Sequence, residues 1–264
     1  WTAISTEAEL RNAKAGTAEA PKYYYLLNDV ELTNNLNTGW VWTPNKNMVL
    51  CLNGHSIKMM AGSIAMKVNN NFTLCDCRGT GKVMHGRGYK NALRDGNAVV
   101  VSANSTFTMY GGIITDNIFG GPYKGGAVYV QSKAVFNMHG GKITGNQADT
   151  NAKGAGVYVA GTFNMTGGEI TNNTASWTRQ KETDTPEMVQ GGGVYVSKTG
   201  KVNVSGDAKI YDNWSQLVEK SGTIVGQKSA DNVYLTTDAD GNPVKITVAG
   251  ALNGAKIQVT TEAA

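Results

Sequence analysis

GGGVYVSKTGKVNVSGDAKIYDN, residues 191–213, has two close relatives upstream: GAGVYVAGTFNMTGGEITNN (154–173) and GGAVYVQSKAVFNMHGGKITGN (125–146). Aligned on VYV, three blocks recur. The first holds Val128-Tyr129-Val130, Val157-Tyr158-Val159, Val194-Tyr195-Val196 and Val233-Tyr234-Leu235. The second holds Phe107-Thr108-Met109, Phe136-Asn137-Met138, Phe163-Asn164-Met165 and Val202-Asn203-Val204; the third begins at Ile114, Ile143, Ile170 and Ile210. Each block alternates apolar and polar, the period of a half-buried strand. A glycine pair or a polar corner separates one block from the next. Three short strands per turn, repeated, predict an all-β solenoid in which like residues stack on like. Phe136 then lies between Phe107 and Phe163, and Asn117, Asn146, Asn173 and Asn213 fall at one corner. There their amides can run as a hydrogen-bonded ladder. A sandwich would need longer strands and Asn-Gly or Asp-Gly hairpin turns.

Weaker copies extend the pattern in both directions: MVLCLNG, HSIKM and SIAMKV within 48–68, FTLCDC, GKVMHG and NAVVVSA within 72–103, and VKITVAG and AKIQVTT within 244–261. The repeat therefore spans about seven coils and nearly the whole chain. Residues 1–21 are expected to form an N-terminal cap with a short helix over 5–15, because Thr6 and Glu9 make a capping box and Leu10 supplies an apolar contact. The β-helix domain then runs over 22–264. Nothing after the last strand resembles a cap, so a further domain or a returning loop is expected to cover that end.

The GG[AG]VYV … FNM … GGxITxN pattern resembles the repeats of right-handed parallel β-helix proteins on bacterial surfaces. It is similar to the GGA[ILV] and FxxN repeats of polymorphic outer-membrane autotransporters. LCLNGHSI (50–57) and FTLCDCRGTGKV (72–83) look like the opening coils of large Gram-positive surface proteins of this fold. The resemblance implies a right-handed parallel β-helix and a bacterial extracellular setting, cell-surface attached or secreted. It says little about activity, because the same fold carries lyases, glycosidases, adhesins and tailspikes.

Composition narrows the classes. Lys plus Arg number 24 and Asp plus Glu 20, a net charge of +4 with no basic block, which argues against a nucleic-acid partner. No apolar run approaches the ~20 residues of a membrane span. The 33 glycines recur in register with the repeat, as corners do. A chain beginning at Trp1 reads as a processed or excised fragment. Cys51, Cys75 and Cys77 lack a matching His or fourth Cys for a metal site. They read as buried thiols or as one disulfide with an odd thiol left, Cys77 the exposed one. Cys51 and Cys75 occupy the same strand position within one residue, and three free thiols are the expected state. No cofactor or metal is expected.

Function is expected where the coils differ. The connections 118–127, 147–156, 174–193 and 214–232 leave the stack at one edge, and the third doubles in length. They bring Tyr123, Lys124, Lys153, Trp177, Arg179, Glu182, Asp184, Glu187 and Trp214 together, aromatics beside charges that suit a sugar or protein contact. The middle residues of VYV, Tyr129, Tyr158, Tyr195 and Tyr234, make a second candidate, an outward strip ~15 Å long. The competing reading is that cross-strand pairing and covering loops account for the tyrosines.

No catalytic constellation stands out. Asp116 and Asp212 share a slot but lie ~14 Å apart. The histidines His55, His85 and His139 lie in different coils, and Glu169 between Lys142 and Lys209 reads as an ion pair. TTDADGNP (236–243) reads as a turn and not as a calcium loop, and the outward positions are too mixed for an ice-binding array. The chain is accordingly expected to be a monomeric adhesin or binding module for a host protein or glycan. The alternative is a β-helix glycoside hydrolase or lyase, with its carboxylates drawn from Asp149, Glu182, Asp184 and Glu187.

Overall fold

The computed structural model describes residues 1–33, 41–59, 65–85, 97–120, 125–149, 153–179, 190–219 and 221–261. They are almost entirely β, arranged as four stacked sheets, with one short helix. Sheet 1 carries the VYV block in seven strands from Met66–Val68 to Val259–Thr261. Sheet 2 carries the FNM block in nine strands, from Thr2–Ile4 to Ile246–Leu252. Sheet 3 carries the IT block in eight, from Val30–Leu32 to Lys256–Ile257. Within these three sheets every pairing is parallel, and the arrangement is consistent with a β-helix solenoid.

The expected register holds residue for residue. Phe107 pairs with Phe136 and Phe136 with Phe163, Ile143 with Ile170, and Tyr158 with Tyr195. In-register stacking puts every alternate side chain into one continuous core. Phe72, Phe107, Phe136 and Phe163 run through it as near-parallel rings with centroids 6.0, 5.0 and 5.0 Å apart. Aromatic pairs of this kind add ~0.5–1.5 kcal/mol each beyond their buried area.

The asparagine corner forms as expected and is longer than expected. Asn117, Asn146, Asn173 and Asn213 are fully buried, and each Nδ2 donates to the next Oδ1 at 2.8–2.9 Å. Asn213 passes the chain to Asn232, and Asn232 to Gln258. The residue just before the corner adopts positive φ in each copy: Asp116 (56°), Gly145 (66°), Asn172 (56°) and Asp212 (52°). Gly, Asn and Asp are the types that tolerate this region. The slot therefore selects Asp116 and Asp212 for backbone geometry.

Two expectations need correction. The connections after the asparagine corner do not begin as loops. They begin as strands of a fourth sheet, Ile118–Gly120, Gln147–Asp149, Thr174–Thr178 and Trp214–Val218, closed by the antiparallel strand Ile224–Ala230. The central repeats thus have four strands, not three. At the N-terminus the helix is only Glu7–Arg11; its capping box is present, with Leu10 buried in the core. Residues 2–4 of the expected cap are themselves an edge strand of sheet 2.

Candidate functional site

The described part of the edge where function was expected is a packed fin. The outgoing strands of sheet 4 run beside returning segments at 154–156 and 191–193, which stack on each other through backbone bonds such as Ala155 N–H to Gly191 O. The fit is close: a Cβ on Gly192 would overlap the Trp214 carbonyl. This explains the glycines that precede VYV. Trp177 lies in a strand, packed on Ala148, Ala155 and Ala175, and its buried Nε1 has no hydrogen-bond partner among the described residues. Arg179 reaches Glu219 at 3.2 Å, and its N–H donates to Val218 O. Trp214 pairs in register with Thr174. The Asp149 carboxyl accepts from Gln147 Nε2 at 2.9 Å, and burial raises its pKa against the lowering effect of bonds from Gln147 and Ser176. Tyr123, Lys124, Glu182, Asp184 and Glu187 lie outside the described residues. Trp177 and Arg179 are therefore held by the fin's own packing, not presented on a free loop.

The tyrosine strip exists in register but is not an open surface. Tyr158, Tyr195 and Tyr234 are each only 7% exposed. Successive rings from Tyr129 onward stand 5.4, 5.0 and 5.8 Å apart. The returning segments cover them: the Lys153 ammonium sits 5.0 Å from the Tyr195 ring, and Gln190 Nε2 donates to the Tyr234 hydroxyl at 2.8 Å. Burial pushes the Tyr158 phenol well above its usual range, with Tyr195 adding to it. Beside the strip, Asp231 Oδ2 accepts from Gly191 N–H at 2.6 Å, and its buried Oδ1 makes no hydrogen bond among the described residues. Burial raises its carboxyl to about 6 against the lowering pull of the Gly191 and Gly192 amides.

Among the described residues, two open sites lie at the corner between sheets 2 and 3. In three copies the residue after the FNM-type strand, Tyr110, His139 or Thr166, is followed by a glycine pair that leaves the corner behind it without side chains. Tyr110 and His139 occupy that slot, both exposed, with rings stacked at 4.8 Å and 21°. His139 Nδ1 lies 2.7 Å from Thr166 Oγ1 in the next copy. Beside them runs a groove of about 450 Å³, whose charged walls are Asp76, Lys142, Glu169, Asp207 and Lys209. Glu169 lies between Lys142 (3.0 Å) and Lys209 (3.9 Å), as the register predicts. Asp76 is engaged by the N–H groups of Gly54 and Gly81, both at 2.7 Å. Asp76 and Asp207 follow strands four steps apart, ~19 Å at the parallel spacing. That exceeds the carboxyl separation of either glycosidase geometry, ~5–9.5 Å. Glu169 is engaged on both sides by the Lys142 and Lys209 ammonium groups.

The same slot continues toward the N-terminus as Tyr25, Cys51 and Cys75, which are register partners. With Trp1, Cys77 and Tyr110 they line a second cavity of about 550 Å³. All three cysteines are free thiols, Cys51 buried and Cys77 exposed. Burial, reinforced by Cys51, pushes the Cys75 thiol up to about 12; the neighbouring Cys51 thiol raises Cys77. Among the described residues no three His, Cys, Asp or Glu side chains are arranged to hold a metal ion, and no helix is long and apolar enough to cross a membrane. No protein-family model, curated protein or solved structure matches the chain.

Proposed function

We propose that the chain is a non-catalytic binding module of an extracellular bacterial surface protein. In this reading it is a right-handed parallel β-helix of about seven coils, acting as a monomer, and its ligand is a glycan laid along the groove at the corner of sheets 2 and 3. Right-handed crossovers are the rule for parallel strands joined within one sheet. The observation that carries the function is the exposed, stacked Tyr110–His139 pair inside a groove walled by ion-paired side chains. Ring faces stack on the C–H faces of sugars, while fixed charges hydrogen-bond their hydroxyls. The groove follows the stacking direction, so it suits an extended polymer.

This moves the recognition surface away from the fin, where Trp177 and Arg179 are held within the protein, and from the covered tyrosines. Catalysis is the weaker reading. The two carboxyls raised by burial among the described residues, Asp149 and Asp231, do not line the groove. The test is a glycan array and a host-protein panel run with the wild-type chain and with His139→Ala and Tyr110→Ala. The expected result is glycan binding that each substitution weakens at least tenfold with the fold intact. Polysaccharide turnover, or binding indifferent to both substitutions, would overturn the reading.

A further inference from the structure

The cavity beside the groove is chemically unlike it. Three aromatic side chains, Trp1, Tyr25 and Tyr110, form its walls, and thiols form much of the remainder. Two of its polar side chains, Asp76 and Asn53, are already engaged. Asp76 accepts from Gly54, Gly81 and, at 3.4 Å, Arg78 backbone N–H groups. Asn53 donates to Leu26 O and accepts from Arg78 Nε at 3.1 Å and from the Cys77 thiol at 3.4 Å. With their pKa values raised, Cys75 and Cys77 are uncharged at neutral pH. A charged occupant would lose its water there and find the Asp76 and Asn53 side chains already occupied. Flat rings and polarizable sulfur instead favour a flat, neutral, polarizable guest. Tyr110 lines both the cavity and the groove, so one ligand can occupy both.

We infer that the Trp1–Tyr25–Tyr110 cavity is an aryl-binding subsite, and that the groove's ligand is a glycan bearing a neutral aromatic substituent. The second half rests on the glycan reading of the groove; the first half stands on the cavity alone. An aliphatic chain would fill the same volume and gain C–H contact with the rings but not the aromatic stacking, ~0.5–1.5 kcal/mol per pair, that a flat ring adds.

Cys77 provides a local reporter, because it is exposed on the cavity wall. The rate of its alkylation by iodoacetamide, followed by mass spectrometry, is measured with 4-methylumbelliferone, with cyclohexanol, and with methyl and 4-methylumbelliferyl glycosides of whichever sugar the array returns. 4-Methylumbelliferone alone is expected to slow alkylation strongly, cyclohexanol hardly at all, and the aryl glycoside to bind roughly tenfold more tightly than the methyl glycoside. Tyr25→Ala should remove the aryl protection while leaving binding of the methyl glycoside unchanged. His139→Ala should do the reverse. Trp1→Ala, at a side chain 66% exposed, repeats the Tyr25 arm without risk to the core. Absence of protection by 4-methylumbelliferone, or equal protection by cyclohexanol, overturns the aryl subsite even if methyl glycosides bind. Protection by 4-methylumbelliferone with no glycan bound anywhere overturns the glycan reading and leaves the aryl subsite standing.

Discussion

Replacing Asn173 by alanine removes the middle of the corner ladder. Its Nδ2 donates to Ile143 O at 2.9 Å, Thr171 O at 3.1 Å and Asn213 Oδ1 at 2.9 Å. Its Oδ1 accepts from the backbone N–H (3.1 Å) and the side-chain Nδ2 (2.9 Å) of Asn146. Some of these partners have alternatives: Asn146 Nδ2 keeps Ile114 O and Thr144 O, and Asn213 Oδ1 keeps the Asn173 N–H. The Asn146 N–H loses its acceptor in a fully buried place. A hydrogen bond is worth a net ~1 kcal/mol and a stranded buried group costs ~1–3 kcal/mol, so Asn173→Ala should cost about 3–5 kcal/mol. Asn117→Ala is the internal control. Asn117 donates three bonds as well, but its buried Oδ1 has no partner among the described residues, so no described donor is stranded and an existing penalty disappears. Its cost should stay below about 2 kcal/mol. Urea unfolding followed by circular dichroism measures both. Repeat arrays can lose two-state behaviour, so amide hydrogen exchange at Asn146 is the sharper readout. Equal costs for the two variants, or an Asn146 amide as protected in Asn173→Ala as in the wild type, would refute the ladder as a source of stability.

Asp231 sets a pH dependence. Its folded pKa, about 6, lies above the ordinary 3.8, so the native state binds this proton more tightly than the unfolded chain does. The contribution is fully present below pH 3.8 and is lost as pH rises through about 6, a decline on the order of 3 kcal/mol at 1.36 kcal/mol per pKa unit. Asp231→Asn should flatten the stability profile between pH 4 and 7; an unchanged slope would assign it to another group. Gly192→Ala forces a Cβ into the Trp214 carbonyl and should lower stability by about 1–3 kcal/mol, read as a fall in Tm; an unchanged Tm would mean the fin does not pack this tightly. The denatured, unreduced chain should titrate three free thiols. In the native chain Cys77 should alkylate first and Cys75, raised to about 12, only on unfolding; a single titratable thiol would show a disulfide instead.

The core of the molecule was readable because stacking rewards identity. Phe107, Phe136 and Phe163 are the same letter at the same place, as are the corner asparagines, so alignment alone recovers the register. Sheet 4 was not readable for the opposite reason. IFG, QAD, TASWT and WSQLV share no alternation, and their pairing follows from where the asparagine corner releases the chain. Trp177 accordingly looked like a loop anchor and is a packed strand residue. The tyrosines are placed correctly in register, and the competing reading of cross-strand pairs under covering loops is the one their burial supports; the identity of the cover, a glycine-lined return, was not legible. The corner slot was missed because its occupants, Tyr25, Cys51, Cys75, Tyr110, His139 and Thr166, differ chemically. The available signal was positional: the residue between an FxM-type strand and a glycine pair.

The ladder also bears on how such a chain can change its length. Corner asparagines stand 29, 27 and 40 residues apart along the sequence from Asn117 to Asn213, yet each presents the same giver and taker to its neighbours. Spacing along the chain is therefore free, while the junction is fixed. Excising residues 147–173 would leave Asn146 followed by Thr174, with Asn213 as its new neighbour and every amide still matched. Excising half that length would put a mismatched side chain into a buried corner. Length in this molecule is quantised: gain or loss by unequal duplication is tolerated in whole corner-to-corner units, whatever their individual sizes.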